Sequence, residues 1–187
     1  MPSVNLPPLP PVGGEATGRN VIDVLSSQHD DLLSLCDRLA AAPDDSRVAG
    51  VLVAELSRHL SAEEQYLYPA VRAVVPGGES LVERELAEDH HLLLMMKNND
   101  KDLISAVRRH VAADAEELLP VLAEMVPVDD LIRLGNRVET AEEAAPTRPH
   151  PGTPSSPPWN KVVDPAVAVV DKLRDAVTRR ATYFSDL

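Results

Sequence analysis

Apolar residues recur at alternating spacings of three and four along four stretches of the chain, the period of a helix that buries one stripe. The first stripe runs Ile22, Leu25, His29, Leu32, Cys36, Leu39, and the second Leu52, Leu56, His59, Glu63, Tyr66, Ala70. The third runs Val82, Leu86, His90, Leu93, and the fourth Leu103, Val107, His110, Asp114, Glu117, Val121. Breaks at Ala42–Ser46, Pro76–Gly78 and Lys97–Asp100 set helices at about 20–41, 46–75, 79–97 and 101–126. Such short connections make successive helices antiparallel neighbours, so the pattern predicts an all-α fold, an up-down antiparallel four-helix bundle.

The flanks read differently. Residues 2–14 hold five prolines and two glycines, the composition of an extended arm. After the bundle, a further helix is predicted over about 129–144, with Asp129 as its N-cap. A proline-rich linker covers 145–165, and Asp164-Pro165 has the form of a helix start. The last helix, about 165–181, carries Val167, Val170, Leu173 and Val177 on one side, a face expected to dock on the bundle or on a second copy. The organisation expected is an arm over 1–18, a bundle over 19–127, an additional helix over 128–144, and a linker with a C-terminal helix over 145–187.

Composition narrows the functional classes. Aromatic residues are 3% of the 187, so the core is built from Leu, Val and Ala, a mix that favours helices. A formal charge of −12 argues against a nucleic-acid or anionic-membrane partner. Cys36 is the single cysteine, so no internal disulfide forms, which fits a reducing compartment. The N-terminal residues do not form a secretory signal, and no apolar run nears the roughly 20 residues that span a bilayer. The cytoplasm is the expected location, with the chain a monomer or homodimer.

The informative residues are polar ones in apolar stripes. Each stripe is interrupted near its middle by a histidine, and two also by a carboxylate. A buried carboxylate is costly unless paired or bound to metal, and no Lys or Arg occupies these stripe centres. His59 and Glu63 are one turn apart, as are His110 and Asp114, so each pair reaches one cavity. Four imidazoles and two carboxylates converging between helices make a metal site. The segments HLSAEEQYLYP and HVAADAEELLP repeat this arrangement, each ten residues from histidine to proline. Each follows a helix with one histidine, so a pseudo-twofold arrangement predicts two metals bridged by the carboxylates. Glu64 and Glu116 are expected to face solvent, His91 to lie at the surface or behind the ligands, and His150 to be inert. Cys36, Met95 and Met96 read as packing.

The segments QHDDLL, RHLSAEEQYLYP, EDHHLLL and RHVAADAEELLP resemble the four helix signatures of the hemerythrin and HHE cation-binding family. The resemblance covers about residues 20–126, and the tail from LGNRVETAEEAA onward is similar to that of actinobacterial members. It implies a non-haem centre of two iron ions, oxo- or hydroxo-bridged, that meets dioxygen, hydrogen peroxide or nitric oxide. The implied ligands are His29, His59, Glu63, His90, His110 and Asp114. Oxygen-carrying members have a second histidine in the third helix, one turn before His90; here that position is Leu86. Either one iron keeps an open position or another side chain fills it, with Tyr66 the first candidate and Glu117 the symmetric one; Tyr66 also reads as a packed core residue. A phenolate or carboxylate donor favours ferric iron, so the leading expectation is catalase-like degradation of hydrogen peroxide. The alternatives are reversible binding or sensing of dioxygen or nitric oxide, and an iron-handling or structural metal module.

Overall fold

The computed structural model describes residues 16–152, 160–178 and 180–187, and these are helical without strands. The predicted N-terminal arm at residues 2–14 and much of the proline-rich linker lie outside the described residues. Helix α1 is Val21–Ala41 and starts where the Asn20 side chain accepts from the Asp23 backbone N–H. Helix α2, Ser46–Ala62, is capped by Asp45, whose carboxylate accepts from the N–H groups of Arg47 and Val48. It continues through a π-helical turn, Glu63–Leu67, into α3, Tyr68–Val74. Helix α4 is Gly78–Asn98. Helix α5, Leu103–Ala113, passes through a second π-helical turn, Asp114–Leu118, into α6, Leu119–Met125. Helix α7 is Val128–Ala144 and α8 is Asn160–Thr178.

The π turns have a common cause in the repeated sequence. Pro69 and Pro120 are the second residues after them. A proline inside a helix lacks the N–H for the bond four residues back, and its ring crowds that carbonyl. Each helix widens by one residue just ahead of its proline: the Tyr68 N–H donates to the Glu63 carbonyl, and the Leu119 N–H to the Asp114 carbonyl, both five residues back. The widening begins on the two carboxylates that the sequence singled out. π turns of this kind recur at functional sites.

Two apolar layers hold the helices together. One gathers Val21, Leu25, Leu67, Val82, Leu118, Leu122 and Leu134, and the other Leu32, Leu52, Leu56, Leu92, Met96, Val107 and Val111. The chain runs from the first layer to the second along α1 and α4, and back along α2 and α5. Leu25, Leu52, Leu56, Leu92, Leu122 and Leu134 have no exposed surface, and each contributes roughly 1.5–3 kcal/mol by burial. Between the layers lies a polar layer of His29, His59, Glu63, Asp89, His110 and Asp114, all at most 3% exposed. Helix α7 packs on α1 and α2. Gly135 permits this: a Cβ there would stand 2.4 Å from the Arg19 carbonyl oxygen.

The C-terminal region departs from the sequence reading. Helix α8 begins at Asn160, ahead of the expected Asp164-Pro165 start. It turns Ala168, Asp171 and Asp175 inward and leaves Val170, Leu173 and Val177 exposed, the reverse of the expected docking face. The polar face prevails because it meets built partners. Asp175 accepts from Thr147, Arg148 and Arg180, and His150 Nε2 lies 2.9 Å from Asp171 Oδ2. His150 thus anchors the segment that carries it. In α7, Pro127 takes the N-cap position and Asp129 falls in the first turn, where its charge still faces the positive end of the helix.

Candidate metal centre

Three imidazoles and two carboxylates converge in the polar layer. His29 comes from α1, His59 from α2, Glu63 from the first π turn, His110 from α5 and Asp114 from the second π turn. One ligand atom from each lies within 4.8 Å of every other. The His29 and His59 ring centroids are 5.0 Å apart, and those of His59 and His110 5.5 Å. Glu63 turns Oε1 to His59 Nε2 at 3.4 Å and Oε2 to His110 Nε2 at 3.5 Å. Asp114 Oδ2 stands 3.4 Å from both His29 Nε2 and His110 Nε2.

These atoms are buried without hydrogen-bond partners. Among the described residues, the Nε2 atoms of all three histidines, Glu63 Oε1 and both Asp114 oxygens lack one. So many orphaned lone pairs facing one point cost several kcal/mol unless a cation receives them. The protein instead biases the groups toward neutrality. Burial, then the neighbouring His29 and His110, pushes the His59 pKa well below its ordinary value. Burial also lowers that of His110, against the pull of Asp114. Burial, with Asp114 and Asp89 beside it, raises the Glu63 carboxyl well above its ordinary range. Neutral imidazoles and carboxylates short of a counter-ion are the donor set that a divalent ion satisfies.

The third helix contributes a different residue from the one expected. His90 is exposed and stands outside the cluster, while Asp89, one position earlier, is fully buried. The inward stripe of α4 is Val82, Glu85, Asp89, Leu92 and Met96, whereas the sequence favoured Val82, Leu86, His90 and Leu93. Both satisfy helical spacing. The run Leu92–Met96 is apolar on every side and sets no phase, so the histidine had set it. A slip of one position turns the face by about 100°. The position one turn before the inward residue is therefore Glu85, which is buried and accepts from Arg84.

Tyr66 and Glu117 also stand elsewhere. Both lie past the start of a π turn, where the extra residue breaks the extrapolated period. Tyr66 packs in the apolar layer with Arg137 as its charged neighbour. Tyr68 takes the place beside the cluster: its hydroxyl donates to Asp89 Oδ2 at 2.8 Å and lies 3.3 Å from Glu63 Oε2. Glu117 is exposed and accepts from Arg84 at 2.6 Å. Glu64, expected in solvent, is buried beside Ser57, Ser61 and the Pro146–His150 segment, while Glu116 is exposed as expected.

Behind the imidazoles stands a shell of oriented polar groups. Asp89 Oδ1 is 3.7 Å from His110 Nδ1, on the side of the ring opposite Asp114. Gln28 Oε1 is 2.9 Å from His59 Nδ1, and Gln28 Nε2 donates to Glu142 Oε2 at 2.7 Å. The Gln28 carbonyl behind His59 Nδ1 holds the proton there and leaves Nε2 free to bind a metal. A cavity of about 200 Å³, lined by Arg84, Glu85, Glu88, Arg109, His110 and Ala113, reaches the cluster beside His110. A larger one, about 590 Å³ under the C-terminal tail, touches none of these residues.

A family model described as the hemerythrin HHE cation-binding domain matches residues 20–130. An uncharacterised hemerythrin-like protein of Schizosaccharomyces pombe is 24% identical over 176 residues, covering 85% of this chain and 87% of its own length. No solved structure matches.

Proposed function

The chain belongs to the hemerythrin HHE cation-binding family, and from that footing we propose that it is a non-haem di-iron protein that takes up a small ligand such as dioxygen, nitric oxide or peroxide. The observation that carries this reading is the convergence of five buried donors within 4.8 Å, with the three Nε2 atoms, Glu63 Oε1 and both Asp114 oxygens lacking hydrogen-bond partners among the described residues. His29, His59, His110, Glu63 and Asp114 would hold the metal, with Asp89 in reach through His110. Glu63 presents separate oxygens to His59 and His110, so either could serve as a ligand atom. When bound, the iron supplies the redox change and open coordination that small-ligand uptake needs.

The residues around the cluster restrict what reaches it. The two apolar layers lie above and below the cluster, and the cavity of about 200 Å³ beside His110 reaches it from the side. Gln28 holds the His59 proton on Nδ1, and Asp89 is an acidic neighbour behind His110 Nδ1. The hydroxyl of Tyr68 ties Asp89 and Glu63 into one hydrogen-bonded unit. Of the extra donors that the catalase-like expectation looked to, Tyr66 packs beside Arg137 and Glu117 is exposed, so the proposal is kept to small-ligand uptake.

A mononuclear centre is the second reading, favoured by compactness. Donors about 2.1 Å from one ion lie up to about 4.2 Å apart, close to the 4.8 Å span here. Metal analysis of protein from iron-replete cells, with its absorption spectrum, tests both. Two irons per chain, with a spectrum that shifts on adding nitric oxide or peroxide, is the expected result. One ion per chain selects the mononuclear form, and protein that binds no iron on anaerobic reconstitution overturns the proposal.

A further inference from the structure

Helix α7 lies outside the four helices that carry the cluster, yet a hydrogen-bonded chain joins it to a candidate ligand. Glu142 Oε2 accepts from Gln28 Nε2 at 2.7 Å, Gln28 Oε1 stands 2.9 Å from His59 Nδ1, and His59 Nε2 faces Glu63 at 3.4 Å. We propose that Glu142, acting through Gln28, is a positioning residue for His59, and that its ionisation sets how firmly the cluster holds its metal. The proposal rests on the metal-centre reading and names a control on it.

The direction follows from the chemistry of the amide. An ionised Glu142 accepts only, so it fixes the Gln28 NH2 toward α7 and the carbonyl toward His59. That carbonyl accepts only, so the His59 proton sits on Nδ1 and the Nε2 lone pair faces the cluster. A protonated Glu142 can donate instead, and the amide is then free to turn over. The NH2 would face Nδ1, which must become an acceptor, and the ring proton moves to Nε2, where it blocks a metal. The ionised carboxylate and the bound metal therefore favour each other, and by linkage each strengthens the other equally.

The surroundings place this ionisation in a usable range. Glu142 is half-buried, faced by Glu55 and Arg58 from α2 and by Glu139 and Glu143 on its own helix. Tyr183 and Lys172, from the C-terminal segment, engage the side chain and the carbonyl of Glu143. Burial, with Glu55 adding to it and Arg58 opposing it, pushes the Glu142 carboxyl up to about 8.

The test is cobalt(II) affinity of the full chain between pH 6.5 and 9, read by its visible bands under chelator competition. Cobalt avoids the aerial oxidation of ferrous iron. The parent and Glu142→Gln are compared, with Gln28→Leu as a second variant that cuts the link and leaves Glu142 intact. The parent should gain affinity across pH 7–9 by about tenfold more than either variant, the scale of an outer-shell partner. Histidine protonation at lower pH affects all three alike. Parallel curves for parent and variants overturn the proposal while leaving the metal centre standing. Absence of cobalt and iron binding by the parent at every pH overturns both.

Discussion

Replacing Glu63 with Gln should move stability in opposite directions with and without metal. Glu63 is fully buried, faces Asp89 and Asp114, and among the described residues has no Lys or Arg beside it. Without metal, burial and the neighbouring carboxylates hold its carboxyl well above the ordinary value of 4.5 that the unfolded chain keeps. Keeping the buried group protonated where the unfolded chain has released its proton costs the metal-free fold roughly 1.4 kcal/mol per pH unit. A folded pKa raised in this way makes the metal-free fold most stable in acid and drains stability as pH rises past the ordinary value. Glu63→Gln removes the cost but buries an amide, giving back about 1 kcal/mol. The metal-free variant should therefore gain stability at pH 7, each kcal/mol raising Tm by roughly 2–4 °C for a chain of this length, with a flatter pH profile above the ordinary carboxylate value. With metal the sign reverses. A hundredfold excess over Kd stabilises the parent by about 2.7 kcal/mol, and the variant, short of a carboxylate, should lose most of that gain. Calorimetry of both proteins with and without iron at pH 5, 7 and 8.5 reads all of this. A metal-free variant less stable than the parent at pH 7, or an undiminished iron-induced shift, would refute the reasoning.

Three further outcomes follow from the register of the helices. His90→Ala should leave metal content unchanged and Asp89→Asn should lower it; the opposite result by metal analysis would restore the sequence-based face of α4. Tyr68→Phe should cost about 1 kcal/mol and alter the spectrum of the iron-loaded protein, since it removes the hydroxyl bonded to Asp89, whereas Tyr66→Phe should leave that spectrum intact. Deleting residues 182–187 strips Arg58 of the Thr182 carbonyl and of the Tyr183 ring 4.3 Å away, and should lower Tm by several degrees at roughly 2–4 °C per kcal/mol, with iron content retained.

Where periodicity and chemistry agree, the sequence is a sufficient guide. On α1, α2 and α5 the histidines sit in stripes whose phase Leu and Val fix independently, and His29, His59 and His110 meet as the stripes require. The carboxylates one turn after His59 and His110 meet them for the same reason. Beyond those carboxylates a constant 3.6-residue period ceases to hold, because a π turn adds a residue. The signal for it was present as Pro69 and Pro120, each six residues past a carboxylate, but a proline announces a broken hydrogen bond without saying how the helix absorbs the break. Tyr68 was hidden by this shift, and Tyr66 and Glu117 were misplaced by it. The outer partners Gln28 and Glu142 carry no local signal, since their pairing joins residues 114 positions apart.

The error on α4 has a different origin, and it bears on the nature of the centre. Pattern reading placed His90 inward on the stripe of Val82, Leu86 and Leu93 and gave Glu85 and Asp89 no part. The fold does the reverse and buries both carboxylates, with Leu92, Met95 and Met96 filling the space below them. Burying Asp89 beside Glu63 and Asp114 is unfavourable for an apolar bundle and favourable only around positive charge. Burial holds His59 and His110 toward neutrality, and Arg84 reaches Glu85 alone among these acids. Three carboxylates without a protein cation match the charge of more than one divalent ion, so the residue that displaced the expected histidine adds weight to a two-metal site. The same substitution gives Tyr68 its partner and His110 an acidic neighbour behind Nδ1, which makes Asp89 the position where metal stoichiometry and ligand orientation are tested together.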